Sequence, residues 1–183
     1  FCPTRCAYCS FVSQSVEKSM KLIEPFMDAL MLDIEATAAE VRRAGLRPVS
    51  IYMGGGTPTT LSAAQLERLC TKLEREFDLS ALREYTVEAG RPDTISLDKL
   101  ETLRARGVGR VSVNPQTMSD SVLEAIGRRH TAQDIVDALA LVRRCGGLEV
   151  TIDLIAGLPT DTPEGFSRTL DEVLALAPEN ITV

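Results

Sequence analysis

The feature that most constrains this chain is a strict alternation of short apolar runs with longer stretches of helical period. Glu24 to Ala44 reads as a helix from its apolar spacing (Phe26, Leu30, Ile34, Ala38, Val41), with Pro25 in the first turn and Gly45 just past the end. Pro48 to Met53 reads as a short buried strand that ends at Gly54-Gly55-Gly56. Ser62 to Phe77 is helical, with Ser62 as cap and Gln65 in the capping-box position. Glu84 to Glu88 is a strand, Ser96 to Arg106 a helix capped by Ser96 and stopped by Gly107, and Arg110 to Val113 a strand. Ser119 to Ile126 and Thr131 to Arg144 are helices broken at Gly127. Val150 to Ile155 is a continuous apolar strand apart from Asp153, Thr162 to Leu176 a helix, and Ile181 to Val183 the start of a last strand.

Strands alternating with helices make an α/β domain with a parallel sheet. Five strand signals follow the first cysteines, and a loop of that kind needs a strand before it. The expected architecture is therefore a partial (β/α)6 barrel over residues 1–183, truncated at both ends, with the first strand and a C-terminal region of a larger protein missing. In barrels of this kind the working residues sit where strands end and loops begin. The chemically unusual residues fall there: Gly54 to Pro58 after the second strand of the barrel, Glu88 closing the third, Asn114-Pro115-Gln116 after the fourth, and Asp153 in the fifth.

Composition narrows the partners. The 183 residues are 44% hydrophobic and 25% charged, with 20 Lys plus Arg against 26 Asp plus Glu and a net charge of −6. An acidic chain has no general attraction to phosphate backbones or anionic membranes, so neither nucleic acid nor membrane is the expected partner. No run approaches the roughly 18 apolar residues of a membrane span, and no basic-then-apolar leader is seen, so the expected location is cytoplasmic.

The five cysteines are too few for a disulfide scaffold and are unevenly placed. Cys2, Cys6 and Cys9 lie in Cys2-Pro3-Thr4-Arg5-Cys6-Ala7-Tyr8-Cys9, a C-x3-C-x2-C spacing. Three thiolates on a short loop can hold three irons of a [4Fe–4S] cube and leave the fourth iron open to a small molecule. The alternative is a structural zinc site, which wants a fourth ligand. Cys70, Cys145 and the single histidine, His130, are distant in sequence. Cys70 and Cys145 read as small semi-buried side chains, and His130 as a local hydrogen-bonding residue with no assigned role.

These residues resemble the radical S-adenosylmethionine (radical SAM) superfamily, whose cluster motif is C-x3-C-x-aromatic-C after the first barrel strand. The resemblance covers essentially the whole chain and extends to the oxygen-independent coproporphyrinogen III oxidase group, which also includes heme chaperones. It is carried by Gly54-Gly55-Gly56-Thr57-Pro58-Thr59, Glu88 to Asp93, Asn114 to Met118, Gly127 to Thr131 and Ile152 to Pro159. It implies a [4Fe–4S] cluster on Cys2, Cys6 and Cys9, and SAM held by Tyr8, Gly54, Gly55, Gly56, Thr57, Glu88, Gln116, Arg128 and Asp153. Glycines let a backbone approach a ligand closely and expose carbonyls to an ammonium group, and a carboxylate suits ribose hydroxyls. Each residue also has a plainer reading: Glu88 as a strand-end acid in solvent, Tyr8 as a space-filler, Asp153 as half of a buried ion pair.

Within that group, Ser10-Phe11 stands where the best-known oxidases carry another cysteine two residues after the last ligand, and the heme chaperones also place Phe there. Glu88 to Asp93 and Asn114 to Met118 look like the second-type coproporphyrinogen dehydrogenases of some bacteria, and that branch is preferred. The resemblance then implies an oxidoreductase of heme (porphyrin) biosynthesis that takes an electron from a donor such as flavodoxin or ferredoxin. It would convert coproporphyrinogen III to protoporphyrinogen IX by oxidative decarboxylation of two propionates. The alternative is a heme chaperone-like protein that binds heme without decarboxylase activity. Arg5, Arg128 and Arg129 are the candidates for meeting substrate carboxylates, and Arg5 for offsetting the cluster's charge.

Overall fold

The computed structural model describes residues 1–11 and 15–183. A single helical turn, α1 (Val16–Ser19), leads through a tighter turn, Met20–Leu22, into α2 (Ile23–Arg43). Then follow β1 (Ser50–Met53), α3 (Ala63–Glu76), β2 (Glu84–Glu88), α4 (Leu97–Ala105), β3 (Arg110–Gln116), α5 (Asp120–Ala125), α6 (Ala132–Cys145), β4 (Glu149–Leu154), α7 (Pro163–Ala175) and β5 (Asn180–Thr182). All strand pairs are parallel, in the order β1-β2-β3-β4-β5. This is the expected α/β architecture; the strand placed before the cysteine loop has no counterpart among the described residues.

Local chemistry accounts for most boundaries. The Ser62 hydroxyl accepts from the Gln65 N–H at 3.2 Å while the Gln65 side chain accepts from the Ser62 N–H at 2.8 Å, so the capping box starts α3. Thr131 and Asp134 make the same reciprocal pair at α6, and Thr162 caps α7 by accepting from Gly165 N–H at 3.0 Å. The expected cap at Ser96 is not made: its hydroxyl donates to Asp98, and only its carbonyl serves α4, accepting from Leu100 N–H at 3.1 Å. On α2 the buried stripe is rotated from the expected one, with Ile23, Met27 and Ala38 inside. Phe26 instead lies half outside, its ring edge-on to that of Phe1 at 5.4 Å.

The strands divide their residues by parity. Tyr85, Val87, Val111, Val113, Val150, Ile152 and Leu154 are buried, and with α3, α4 and α6 residues such as Leu66, Leu69, Leu100, Leu103, Ile135 and Leu139 they form the apolar core. The opposite face is polar from end to end. At the strand beginnings Arg110 pairs with Glu84 at 3.2 Å and Glu149 at 2.9 Å. Thr86, Ser112 and Thr151 follow, all buried, and then Glu88, Asn114 and Asp153. β4 is therefore not the continuous apolar strand expected. It alternates, and Asp153 belongs to the polar face.

Candidate functional site

The strand exits surround a cavity of about 260 Å³. Its wall is formed by Cys2, Cys6, Tyr8, Cys9 and Phe11 from the first loop; Gly55, Gly56 and Thr57 after β1; Glu88, Gly90 and Arg91 from β2 and its exit; Asn114, Gln116, Arg128 and Asp153 beyond. The three cysteines thus share one space with every SAM-site candidate except Gly54. Gly54 acts one step back: a Cβ there would lie 2.8 Å from the Tyr52 ring and 2.9 Å from Glu88 Oε1.

The cysteine loop is tied to three separate places. Thr57 N–H donates to Phe1 O at 2.8 Å, Val16 N–H to Cys2 O at 2.9 Å, and Ala7 N–H to Ile126 O at 3.0 Å. Gly56 permits the first of these, since a Cβ there would sit 2.6 Å from Phe1 O. Cys2 and Cys6 are buried and Cys9 is half-buried. Thr57 Oγ1 lies 3.5 Å from Cys2 Sγ. Arg91 Nη2 donates to Cys6 Sγ at 2.8 Å and to Thr4 O at 3.0 Å, and Nη1 donates to Thr4 Oγ1 at 3.1 Å.

Glu88 is held on both oxygens. Tyr52 Oη donates to Oε1 at 2.9 Å, and Gly55 N–H reaches Oε2 at 3.3 Å. Gly55 has φ +113°, a backbone state that side-chain-bearing residues rarely adopt, and this conformation presents its N–H to Glu88. Burial, reinforced by the nearby charge of Asp153, pushes the Glu88 carboxyl above its ordinary range, against the pull of its two donors. The same neighbourhood, burial first and then Glu88, pushes the Tyr52 phenol upward.

Gln116 closes β3 with φ +72°, just after a break in register between Val113 and Gln116 at Asn114-Pro115. A non-glycine residue in this region costs about 1–2 kcal/mol. Such strain gathers at functional sites, and here it falls at a buried amide on the cavity wall. Asp153 accepts from Ser112 Oγ at 3.3 Å and makes no ion pair among the described residues. Arg128 is buried and donates to Gly90 O at 3.1 Å, Asn114 O at 2.8 Å and Tyr8 Oη at 2.7 Å, leaving its buried Nε without a partner. Burial pushes the Tyr8 phenol up to about 12, with Arg128 opposing.

Other candidates lie elsewhere. Arg5 and Arg129 are exposed and outside the wall; the guanidinium on the thiols is that of Arg91. Cys70 and Cys145 are buried in the core, where Cys70 Sγ accepts from Tyr85 Oη at 3.3 Å. Tyr52 and Arg91 were missed as site residues, because their contacts are made across 36 and 85 residues of sequence.

The sequence matches the radical SAM superfamily over residues 1–173. The chain belongs to that superfamily. It is 37% identical to the oxygen-independent coproporphyrinogen-III oxidase-like protein HemZ of Bacillus subtilis, over all of this chain and 37% of that protein. To the heme chaperone HemW of Lactococcus lactis it is 35% identical, over 96% of this chain and 44% of the relative. The solved structure of coproporphyrinogen III oxidase (HemN) from Escherichia coli, a radical SAM enzyme, superposes with a TM-score of 0.86 at 34% identity, covering all of this chain and 42% of that one. The chain thus spans less than half the length of these relatives.

The cofactors of the radical SAM superfamily are a [4Fe–4S] cluster and SAM, and the cavity suits both. Three soft thiol donors ring one space, as a multi-iron cluster requires. The further thiol or imidazole that a structural zinc site wants is not on this wall, since Cys70, Cys145 and His130 do not line it. Cations (Arg91, Arg128) and carboxylates (Glu88, Asp153) on the same wall match a ligand that carries both a carboxylate and ammonium and sulfonium charges.

Proposed function

We propose that this chain is the cofactor-binding core of an oxidoreductase that decarboxylates the propionate side chains of coproporphyrinogen III to give protoporphyrinogen IX. The observation that carries the reading is the convergence of Cys2, Cys6 and Cys9 with Glu88, Gln116, Arg128 and Asp153 on one cavity at the strand exits. A cluster held by Cys2, Cys6 and Cys9 would supply one-electron reduction of SAM, the source of the radical chemistry that a substrate C–H bond would meet here.

The chain's own residues do the positioning. Cys2, Cys6 and Cys9 hold the cluster, and Tyr8 lies between two of them with its hydroxyl fixed by Arg128. Gly55, Gly56 and Thr57 offer backbone to the methionine end of SAM, and Gly54 leaves room behind them for Tyr52 and Glu88. Glu88, fixed by Tyr52 and Gly55, keeps lone pairs for ribose hydroxyls. Gln116, Arg128 and Asp153 complete the polar wall. The relatives named as oxidases support the substrate, and the electron donor is a low-potential protein of the flavodoxin or ferredoxin kind.

The second reading, a heme chaperone-like protein, is favoured by HemW relatives at 34–35% identity, beside 34–37% for relatives with oxidase names, and by an exposed Phe11 on the cavity rim. The test is to reconstitute the protein anaerobically, reduce it, and record electron paramagnetic resonance with and without SAM, followed by product analysis with coproporphyrinogen III. A cluster signal shifted by SAM together with vinyl products is expected. A signal indifferent to SAM would overturn the radical reading, and stoichiometric heme binding without vinyl products would transfer it to the chaperone.

A further inference from the structure

Arg91 is a buried cation with no buried acid beside it. The residue is 5% exposed, its guanidinium donates to a carbonyl, a hydroxyl and a sulfur, and it makes no ion pair among the described residues. A second buried guanidinium, Arg128, lies close enough to disfavour its charge further, while Cys6, Tyr8 and Cys2 are the groups that favour it. Burying a charge without a counter-charge is costly, so a fold that does so has a use for the positive potential. The groups that answer it are the sulfurs of the cysteine loop, which become thiolates when they ligate iron, and the shortest contact is Nη2 to Cys6 Sγ at 2.8 Å.

We propose that Arg91 is a positioning residue that raises the reduction potential of the cluster through its N–H···S bond to Cys6. The proposal rests on the assignment of the cluster to Cys2, Cys6 and Cys9. Reduction adds one negative charge to a group already made anionic by three thiolates. A donor on one of those sulfurs, and a fixed cation beside it, favour the reduced form over the oxidised one. The placement follows from the turn after β2: Glu88 ends the strand facing the cavity, and Arg91, three residues on, opens the turn Pro92–Thr94 with its side chain directed back to the cysteine loop. One strand exit thus supplies a carboxylate for SAM and a guanidinium for the cluster. The fork geometry matters, because the two nitrogens that reach Thr4 hold the guanidinium against the sulfur.

The test is a potentiometric titration of the reconstituted protein followed by electron paramagnetic resonance, because a midpoint potential does not depend on how much cluster is loaded. For Arg91→Gln the reduced-to-oxidised ratio at a fixed poise is expected to fall about tenfold, which is about 59 mV for one electron. Arg91→Lys, which keeps the charge and loses the fork, is expected to fall between the two. Thr4→Val removes the Oγ1 acceptor but keeps the carbonyl that Nη2 reaches, so the guanidinium stays on Cys6 and the potential is expected to move far less than in Arg91→Gln. An unchanged potential in Arg91→Gln overturns the proposal, as does a Thr4→Val shift of the same size, which would make loop placement the cause. Loss of all cluster from both Arg91 variants would reduce the residue to a clamp and also overturn it. A wild type that takes up no iron would sink the cluster assignment itself, a result distinct from any of these.

Discussion

His130 offers the sharpest test of the electrostatics around the cavity. It is buried, its Nε2 has no partner, and burial together with Arg128 and Arg91 pushes its imidazole down from 6.5 to about 4, with Asp134 and Asp120 opposing more weakly. At pH 7.5 the side chain is neutral in both folded and unfolded chains and contributes no pH dependence. Between 6.5 and about 4 the unfolded chain takes up a proton that the folded chain refuses, so stability falls as pH falls through that window. The loss comes to about 2 kcal/mol at pH 5 and about 3 kcal/mol near pH 4, at 1.36 kcal/mol per pKa unit. His130→Leu fills a similar volume, cannot take the proton, and removes the orphaned nitrogen. Denaturant midpoints for wild type and variant, measured before cluster reconstitution at pH 7.5 and pH 5, give the comparison in which the carboxylate contributions cancel. The variant is expected to lose about 2 kcal/mol less than wild type on acidification, or roughly 4–8 °C in Tm for a chain of this size. Parallel pH profiles would refute the reasoning and show that imidazolium is accommodated where the structure leaves it no acceptor.

Three further outcomes follow from the same geometry. Glu88→Gln removes a charged acceptor worth about 1.5–3 kcal/mol and should weaken SAM binding tenfold or more by calorimetry, while Tyr52→Phe, which only frees Glu88 Oε1, should cost a few-fold. Serine at Cys2, Cys6 or Cys9 should abolish iron and sulfide uptake, whereas Cys70→Ser and Cys145→Ser should retain it, as elemental analysis would report. Leu100→Ala, at a fully buried core position, should lower unfolding free energy by about 2–5 kcal/mol without altering cluster content.

Most of the sheet and its helices could be read directly, because period and capping chemistry are local. Ser62 with Gln65, and Thr131 with Asp134, announce helix starts within four residues of sequence. Ser96 misled because Asp98 offers its hydroxyl a competing partner two residues away. β3 reaches Gln116, beyond the expected end at Val113, because the strand continues through a register break that Asn114-Pro115 disguises as a turn. The reading of Asp153 as a charge stranded in an apolar strand failed for a related reason. Thr151 counts as half-apolar in a hydropathy scan, yet it marks the polar side of the pleat. Tyr52 and Arg91 had no local signature at all, since a tyrosine on an edge strand and an arginine before a proline gain their meaning only from partners that the topology delivers.

The consecutive order of the five strands turns sequence position into an angle around the cavity mouth. Moving along the chain from Gly55 through Glu88 and Gln116 to Asp153 is also a walk around the rim, in one direction and without doubling back. The helices and turns between these stations lie on the circumference, so lengthening one of them pushes outward and leaves the angular spacing of its neighbours intact. The cysteine loop is the exception: Ala7 on Ile126, and Thr4 under Arg91, make it a chord drawn across the circle. Variation in the outer segments is therefore cheap, whereas any change in the loop's length must be felt at several points of the rim together.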